Sequence, residues 1–185
     1  MSVTTPSGFR AAGVAAGLKS TGAKDVALVV NDGPTFDSAT VFTANRCKAN
    51  PVLWSQEVVK DGVVRAVVLN SGGANCYTGA EGFQTTHAVA EQVASGLGIG
   101  ALDVVVCSTG LIGLKNDRAA LLAGVDAAYA GLAAAGGQQA AEAKSGPSFT
   151  TSARSLVPDG LRPAVTPAAR KPPGVVTLMV RVRSW

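Results

Sequence analysis

The amino-acid sequence predicts an α/β protein, and three observations support this prediction. Runs of β-branched and other apolar residues at 24–30, 63–69 and the first half of 103–113 are typical of buried strands. Residues 82–97 and 117–135 instead place apolar residues at helical spacing. Strands and helices alternate along the chain without an internal repeat, which favours helices layered against a sheet.

The composition fits a core built from small apolar side chains. Hydrophobic residues make up 47% of the 185 residues and aromatic residues only 5%, so the core must consist mainly of Val, Leu and Ala. The three cysteines are widely spaced and odd in number, which argues against a disulfide framework and against a zinc site. No apolar run approaches the roughly 20 residues that span a bilayer, and the N-terminus lacks signal-peptide features, so we expect a soluble cytoplasmic protein.

The N-terminal part of the chain predicts two strands and a short helix. Residues 8–17 are too glycine-rich for a stable helix and lead into the strand at 24–30. The segment 31–34 contains Asn, Asp, Gly and Pro, which favour a tight turn. A second strand is predicted at 39–43, and residues 51–59 fit one face of a short helix with proline in its first turn.

Two predicted strands are followed by glycine-rich polar segments. The strand at 63–69 leads into residues 70–79, and the valines of 103–113 lead into Ser, Thr and Gly. Ligands of open sheets tend to lie beyond the ends of strands. We therefore expect these two segments to face one cleft.

The two long predicted helices carry much of the remaining core. The first, at 82–97, can be capped by Thr85 or Thr86, and a glycine follows its end. His87, the only histidine, lies in its first turn. We interpret it as a surface residue, because no carboxylate or second histidine has metal-site spacing. The second helix, 117–135, ends at a pair of glycines.

The segment at 103–113 has the features of an oxyanion-binding turn. Gly110 and Gly113 free the backbone for conformations that side chains forbid. Backbone N–H groups there, beside the hydroxyls of Ser108 and Thr109, can converge on a developing negative charge. The same residue types also form ordinary connecting turns, and the pattern alone favours that simpler interpretation.

The sequence lacks residues that several common types of catalytic site require. Cys107 follows a strand as a phosphatase nucleophile does, but the arginine needed six residues later is Gly113. No Walker motif or dinucleotide-binding glycine pattern is present, and no Gly-x-Ser-x-Gly elbow accompanies His87. An acyl-transfer site without a histidine base can instead use an N-terminal threonine, whose own α-amine acts as the base. Such a threonine arises by chain cleavage.

Five segments closely resemble the glutamate N-acetyltransferase family, also called the ornithine acetyltransferase family, in matching order and spacing. They are residues 8–17, 41–43, 51–54, 68–75 and 107–113. The resemblance covers residues 8 to about 143 and reverses the simpler interpretation of the turn.

The resemblance implies a reaction and a site. Family members cut themselves into an α and a β chain, and the new N-terminal threonine of β takes an acetyl group from N2-acetylornithine. Glutamate then receives the acetyl group, in arginine biosynthesis. The resemblance implies no metal and no coenzyme, although some members also use acetyl-CoA. It assigns the oxyanion hole to the hydroxyl of Thr109 and the backbone N–H of Gly110.

The resemblance also implies a fold and an assembly. The fold is a layered α/β sandwich like that of aminopeptidases that process themselves. The assembly is a heterotetramer of two α and two β chains. This chain corresponds to the α part, which we expect to supply the oxyanion hole and to be inactive without the β chain.

The family pattern ends near residue 144, so we predict an α-chain-like acetyltransferase domain at 1–143 and a basic, proline-rich, poorly ordered tail at 144–185. The tail has seven cationic residues, one anionic residue and six of the nine prolines, whereas residues 1–143 have nine cationic and eleven anionic residues. We interpret the tail as a frame-shifted or otherwise altered end. Thr177 is the nearest match to the family's cleavage-site threonine, but the Lys-Gly loop that precedes it in the family is absent. The nucleophile is therefore assigned to no residue.

Two other functions stay open. A non-catalytic module could bind polyanions through the basic tail, although the only aromatic residues there, Phe149 and Trp185, are too few for a nucleic-acid stacking platform. A self-processing aminopeptidase of similar fold would differ in hydrolysing peptide amides.

Overall fold

The computed structural model describes residues 3–144 and 179–182. Within these residues the chain forms six strands and four α-helices. In chain order they are β1 (Phe9–Val14), β2 (Val26–Asn31), β3 (Ser38–Val41), α1 (Asn50–Val58), β4 (Ala66–Gly73), α2 (Gly79–Leu97), β5 (Val104–Leu111), α3 (Arg118–Ala130), α4 (Gly137–Lys144) and β6 (Met179–Val182). The predicted α/β class is confirmed.

Four strands form one mixed sheet in the order β1-β2-β4-β5. β1 and β4 both pair antiparallel with β2, whereas β4 and β5 are parallel. The connection between the parallel strands contains α2, as expected for a crossover. Because β4 and β5 run in the same direction, their C-terminal ends at Gly73 and Leu111 lie side by side.

One face of this sheet carries the main core. Side chains alternate between the two faces of a strand, and Val26, Leu28, Val68 and Val106 on this face are at most 3% exposed. Helices α1, α2 and α3 supply the apolar residues that pack against them. Each such side chain contributes roughly 1.5–3 kcal/mol when fully buried, so this layer is the main source of hydrophobic stabilisation.

The opposite face of the sheet is covered only in part. α4 packs against it so closely that a Cβ atom on Gly13 would lie 1.9 Å from the carbonyl oxygen of Gln139. Further across this face, Val67, Leu69 and Cys107 are only half-buried. The described residues therefore leave apolar surface partly exposed on this side.

Two side chains of α1 cover the free edge of β5. Trp54 donates its indole N–H to the carbonyl of Val104 at 3.0 Å. The hydroxyl of Ser55 donates to the carbonyl of Val106 at 2.8 Å and accepts the N–H of the same residue at 3.1 Å. These hydrogen bonds replace those of a neighbouring strand, since buried main-chain groups need partners. They reach only as far as Val106.

The strands extend beyond the apolar runs that predict them. β4 continues through Gly73 and β5 through Leu111, so both include residues that the sequence assigns to loops. The predicted turn at Thr109 and Gly110 is therefore wrong, because these residues belong to β5. Main-chain pairing does not require apolar side chains, and the parallel ladder continues across the small polar residues.

The helices also differ in their bounds. α2 begins at Gly79, so Thr85 and Thr86 lie inside the helix and do not cap it. Their hydroxyls donate to the carbonyls of Glu81 and Gly82, one turn earlier. α4 begins at Gly137, the second residue of the glycine pair that predicts the end of the preceding helix, and this helix is not predicted from the sequence.

Four residues of the predicted tail form a strand. β6 pairs antiparallel with β3 in a separate two-stranded sheet. The remaining tail residues, 145–178 and 183–185, lie outside the described residues. Thr177 is among them, and the predicted poor order of the tail concerns these same residues. In the described part of the chain, no helix is both long and apolar enough to cross a bilayer.

Candidate functional site

The two predicted oxyanion residues lie near the C-terminal end of the parallel strand pair. Thr109 lies opposite Ser71, and Gly110 lies opposite Gly72. Thr109 is half-buried and Gly110 is exposed, so neither is enclosed in the interior. Gly72 and Gly110 adopt φ angles of 125° and 127°, which glycine alone tolerates readily.

The main chain of Gly110 faces the free edge of β5. In a parallel pair, alternate residues direct both main-chain polar groups toward the neighbouring strand. Arg65 donates its N–H to the carbonyl of Asp103, and Ala74 donates its N–H to the carbonyl of Leu111. The main-chain groups of the odd-numbered residues in β5 therefore face β4. The even-numbered residues face the edge, and the bonds from α1 end at Val106. The N–H of Gly110 is therefore directed to the part of the edge beyond these bonds.

Two asparagines hold the ends of β4 and β5. The side-chain oxygen of Asn70 accepts the hydroxyl of Ser108 at 2.6 Å. The carboxamide of Asn116 bonds both the N–H and the carbonyl of Gly73, at 3.0 and 3.1 Å. Neither asparagine is predicted as a site residue from the sequence, and nothing in the polar connection around Asn116 indicates its partner.

A buried carboxylate fixes the loop that lies against the site. Asp25 is fully buried, and its side chain accepts the N–H groups of Ala16, Leu18 and Lys19 at 2.6, 2.6 and 3.0 Å. The carbonyl oxygen of Leu18 lies 2.9 Å from the position that a Cβ atom on Gly72 would occupy. The loop therefore supports the strand directly behind the predicted oxyanion residues.

Lys19 connects this loop to the end of α4. Its ammonium group donates to the carbonyl of Ala143 at 3.3 Å, and the hydroxyl of Ser71 donates to the same carbonyl at 2.6 Å. Burial lowers the pKa of Lys19, and the nearby Asp25 carboxylate opposes this with a smaller effect. Because Ser71 is the register partner of Thr109, α4 ends beside the predicted site.

The two glycine-rich segments lie next to each other, because β4 and β5 run in the same direction. The N–H of Gly113 donates to the carbonyl of Cys76 at 2.9 Å. Asn75 is buried and holds the segment 70–79 in place. Its side chain accepts the hydroxyl of Thr78 at 2.5 Å and donates to the hydroxyl of Thr86 at 2.8 Å, and its backbone adopts a φ of 50°. Both segments are therefore tied to the body of the protein.

All three cysteines lie among the described residues, where they form no disulfide and have different environments. Cys47 is exposed, Cys107 is half-buried and Cys76 is buried. Burial raises the pKa of the Cys76 thiol, and the neighbouring Cys47 adds to this effect. Within the described ranges, no group of three or more His, Cys, Asp and Glu side chains could hold a metal ion.

His87 lies in the middle of α2, not in its first turn, because the helix begins earlier than predicted. Its ring packs edge to face on Trp54, with 4.9 Å between the ring centroids, and its Nδ1 lies 3.4 Å from the carboxylate of Glu91. Glu91 follows four residues later on the same helix face, so the expectation that no carboxylate has suitable spacing to His87 is wrong. Its side chain is 46% exposed, which confirms the predicted surface position. His87 also lines an open cavity of about 400 Å³ on the outer side of α2. Neither predicted oxyanion residue lines this cavity.

Comparison with protein families gives a match to the ArgJ family over residues 10–152. The arginine biosynthesis bifunctional protein ArgJ of Thermobifida fusca is 62% identical over 143 residues, which are 77% of this chain and 37% of that protein. The protein of the same name from Streptomyces coelicolor is 59% identical over 141 residues, with 76% and 37% covered. The chain thus spans little more than a third of the length of these relatives.

Two solved structures share the fold. Ornithine acetyltransferase from Mycobacterium tuberculosis, solved in complex with ornithine, matches with a TM-score of 0.75 at 54% identity, over 77% of each chain. The arginine biosynthesis bifunctional protein ArgJ from Bacillus halodurans matches with a TM-score of 0.68 at 29% identity, over 77% of this chain and 74% of the other.

Proposed function

The chain belongs to the ArgJ family, and on that premise we propose that residues 1–143 act as the α-chain part of a glutamate N-acetyltransferase. The proposed reaction moves an acetyl group from N2-acetylornithine to glutamate in arginine biosynthesis. Similarity to an ornithine acetyltransferase that was solved with ornithine supports this substrate class. The chain alone supplies the oxyanion hole and is inactive without a β chain.

One observation carries the proposal. The Gly110 N–H is directed to the edge of β5 beyond the last bond from α1. Thr109, which carries the second donor, its hydroxyl, is the adjacent residue of the same strand. The oxygen of a tetrahedral acyl intermediate carries negative charge, and two fixed neutral donors stabilise that charge without a change of protonation. Neither donor is enclosed in the core, so an acyl group can approach them.

In the proposed reaction, the N-terminal threonine of the β chain attacks the acetyl carbonyl carbon through its hydroxyl oxygen. Its α-amine takes the hydroxyl proton. The carbonyl oxygen becomes the oxyanion that Thr109 and Gly110 bind. Breaking the carbon–nitrogen bond releases ornithine, whose departing amine takes that proton. The amine of glutamate then attacks the resulting ester and forms N-acetylglutamate. The proton that this amine loses passes to the threonine α-amine and from there to the threonine oxygen, which restores the hydroxyl.

The acetyl group is carried by threonine, so the proposed transfer needs no metal and no coenzyme. Acetyl-CoA is a second acetyl donor at the same threonine, with its thiol as the leaving group. We place the enzyme in the cytoplasm, where amino-acid biosynthesis supplies glutamate.

The partly covered face of the sheet supports a β-chain partner. Val67, Leu69 and Cys107 are only half-buried on this face, and exposed apolar patches on soluble proteins commonly mark contact surfaces. Thr109 alternates onto the same face as Cys107 and Leu69. A β chain that covers this face would bring its threonine close to the oxyanion donors. We propose that two such αβ units form the heterotetramer.

A fusion protein tests the proposal. Residues 1–144 are joined to the part of the T. fusca relative that this chain does not match, and acetyl transfer from N2-acetylornithine to glutamate is measured. We expect transfer by the fusion and none by the 185-residue chain alone. In the fusion, Thr109→Ala should lower the turnover number by about 10²- to 10³-fold, the usual loss for one oxyanion donor. The exposed Thr21 provides the matched control, and Thr21→Ala should leave turnover unchanged.

Two results would reject this function. An unchanged turnover number in Thr109→Ala would remove Thr109 from the site. Hydrolysis of peptide amides, with no acetyl transfer to glutamate, would instead identify a self-processing aminopeptidase.

A further inference from the structure

We propose that Asn116 is a positioning residue for acyl transfer: its carboxamide fixes the end of β4 and thereby sets the positions of the two oxyanion donors. This inference rests on the proposed function, because it concerns the donors Thr109 and Gly110. Asn116 lies in the connection between β5 and α3, directly before the residue that caps α3, and its side chain is half-buried.

Asn116 satisfies both main-chain polar groups of one residue. Its side-chain oxygen accepts the Gly73 N–H at 3.0 Å, and its side-chain nitrogen donates to the Gly73 carbonyl at 3.1 Å. A Cβ atom on Gly73 would lie 2.6 Å from the Asn116 oxygen, so the absence of a side chain at Gly73 permits this approach. The carboxamide thus acts as a short piece of neighbouring strand at the end of β4.

The hydrogen bonds continue from Gly73 to the residue before Thr109. The side-chain nitrogen of Asn70 donates to the Gly73 carbonyl at 3.3 Å, and its oxygen accepts the Ser108 hydroxyl at 2.6 Å. The Gly73 carbonyl therefore receives hydrogen bonds from two asparagines, one of which also holds β5.

The oxyanion donors are held from the other side as well. Gly73 is the register partner of Leu111, the residue after Gly110, and the N–H of Ala74 donates to the Leu111 carbonyl at 2.9 Å. Residues 108 and 111 are thus both connected to Gly73, one through Asn70 and one through the strand ladder. The two donor residues between them follow the position of Gly73, which Asn116 sets.

A displacement of the donors would reduce turnover more than substrate binding. Displacements of about 1 Å at a reacting centre can cost on the order of 10²-fold in rate. The donors bind the charge that develops in the transition state, so their displacement lowers kcat and leaves KM nearly unchanged. A residue that only stabilised the fold would lower the amount of active enzyme. Its substitution would then lower the apparent kcat by the same factor whether or not Thr109 is present.

The test uses the fusion protein described above. Asn116→Ala should lower kcat by about 10- to 100-fold and change KM by less than about 3-fold. Asn116→Asp keeps the size and the acceptor but loses the donor to the Gly73 carbonyl, so its loss should be intermediate. This variant also serves if Asn116→Ala does not fold. Asn45→Ala, at an exposed loop asparagine, is the matched control and should retain full kcat.

A double substitution separates positioning from folding. If Asn116 acts through the oxyanion donors, Asn116→Ala should cost at most about 3-fold once Thr109→Ala is present, since coupled positions are not additive. An equal loss in both backgrounds would overturn the proposal and leave a structural role. Full kcat in Asn116→Ala, while Thr109→Ala reduces it, would also overturn this inference and keep the proposed function. Unreduced kcat in Thr109→Ala would instead reject the proposed function itself.

Discussion

Gly110 packs so closely on Gly72 that a Cβ atom added to Gly110 would lie 2.0 Å from the Gly72 carbonyl oxygen. Real Cβ atoms do not approach a carbonyl oxygen so closely, and backbone cannot move aside as a flexible side chain can. The parallel strands therefore meet here backbone to backbone. This contact fixes Gly110, the second of the proposed oxyanion donors, against β4.

Gly110→Ala should destabilise the protein by about 2–5 kcal/mol. The substitution combines an unfavourable positive φ, which costs about 1–2 kcal/mol, with an overpacking cost of about 1–3 kcal/mol or more. Urea unfolding of the 185-residue chain, followed by circular dichroism, measures the loss.

Gly113→Ala is the matched control for this prediction. Gly113 also has a positive φ, of 81°, but no atom lies within 4 Å of its added Cβ position. It should lose only the backbone part, about 1–2 kcal/mol. Equal losses at the two glycines would show that the strands do not meet backbone to backbone at Gly72.

Ser55→Ala should destabilise the chain by about 1–3 kcal/mol. The substitution leaves the N–H and the carbonyl of Val106 without the hydroxyl that both bond, in a region closed to water. Thermal unfolding of both proteins provides the comparison. Ser95 is an exposed serine in a helix, and Ser95→Ala should change the free energy of unfolding by no more than about 0.5 kcal/mol. A neutral Ser55→Ala would mean that water reaches this edge.

The local pattern of apolar residues predicts where the strands of this fold occur better than it predicts where they end. The apolar run of β2 and the valines of β5 identify the core strands, since burial requires apolar side chains. The C-terminal ends of β4 and β5 are polar and small, and only pairing between these two strands makes them part of the sheet. Thr109 is therefore singled out by the family resemblance but placed in a turn by the local pattern.

Partners that are distant in sequence explain what the local pattern misses. Asn116 and Gly73 are 43 residues apart, and Ser55 and Val106 are 51 residues apart. A single asparagine or serine carries no information about which main-chain group it will reach. These contacts depend on the tertiary arrangement, so they become visible only in the structure.

Asp25→Asn should destabilise the chain by about 2–3 kcal/mol, although the two side chains have nearly the same shape. One Asp25 oxygen accepts the N–H of Ala16, and the other accepts those of Leu18 and Lys19. An amide nitrogen cannot accept, so either orientation of asparagine leaves at least one of these N–H groups unpaired. Urea unfolding at neutral pH measures the effect.

The exposed Asp126 is the control for this buried carboxylate. Its side chain accepts one bond, from Gln92 at 2.6 Å. Asp126→Asn should change stability by no more than about 0.5 kcal/mol. A similar loss at both positions would contradict the proposed importance of the three N–H groups around Asp25.

The ion pair between Lys24 and Glu142 should make part of the stability dependent on pH. The two side chains lie 2.6 Å apart and tie α4 to the segment that leads into β2. The hydrogen bond from Lys24 and, to a lesser extent, that from Gln138 lower the pKa of Glu142 below its ordinary value of 4.5. A lowered carboxyl pKa means that the unfolded chain takes up the proton first as the pH falls.

The stabilising effect of Glu142 is therefore fully present above pH 4.5 and is lost as the pH falls through the lowered pKa of the folded protein. Glu142→Gln should lower the urea midpoint at pH 7, and its difference from the unsubstituted chain should shrink toward zero in acid. Lys24→Met should have the same pH profile, because it removes the other partner of the same pair. Both side chains are partly exposed, so added salt should also reduce the difference at pH 7. A difference that does not change with pH would assign the effect of Glu142 to helix packing instead of its charge.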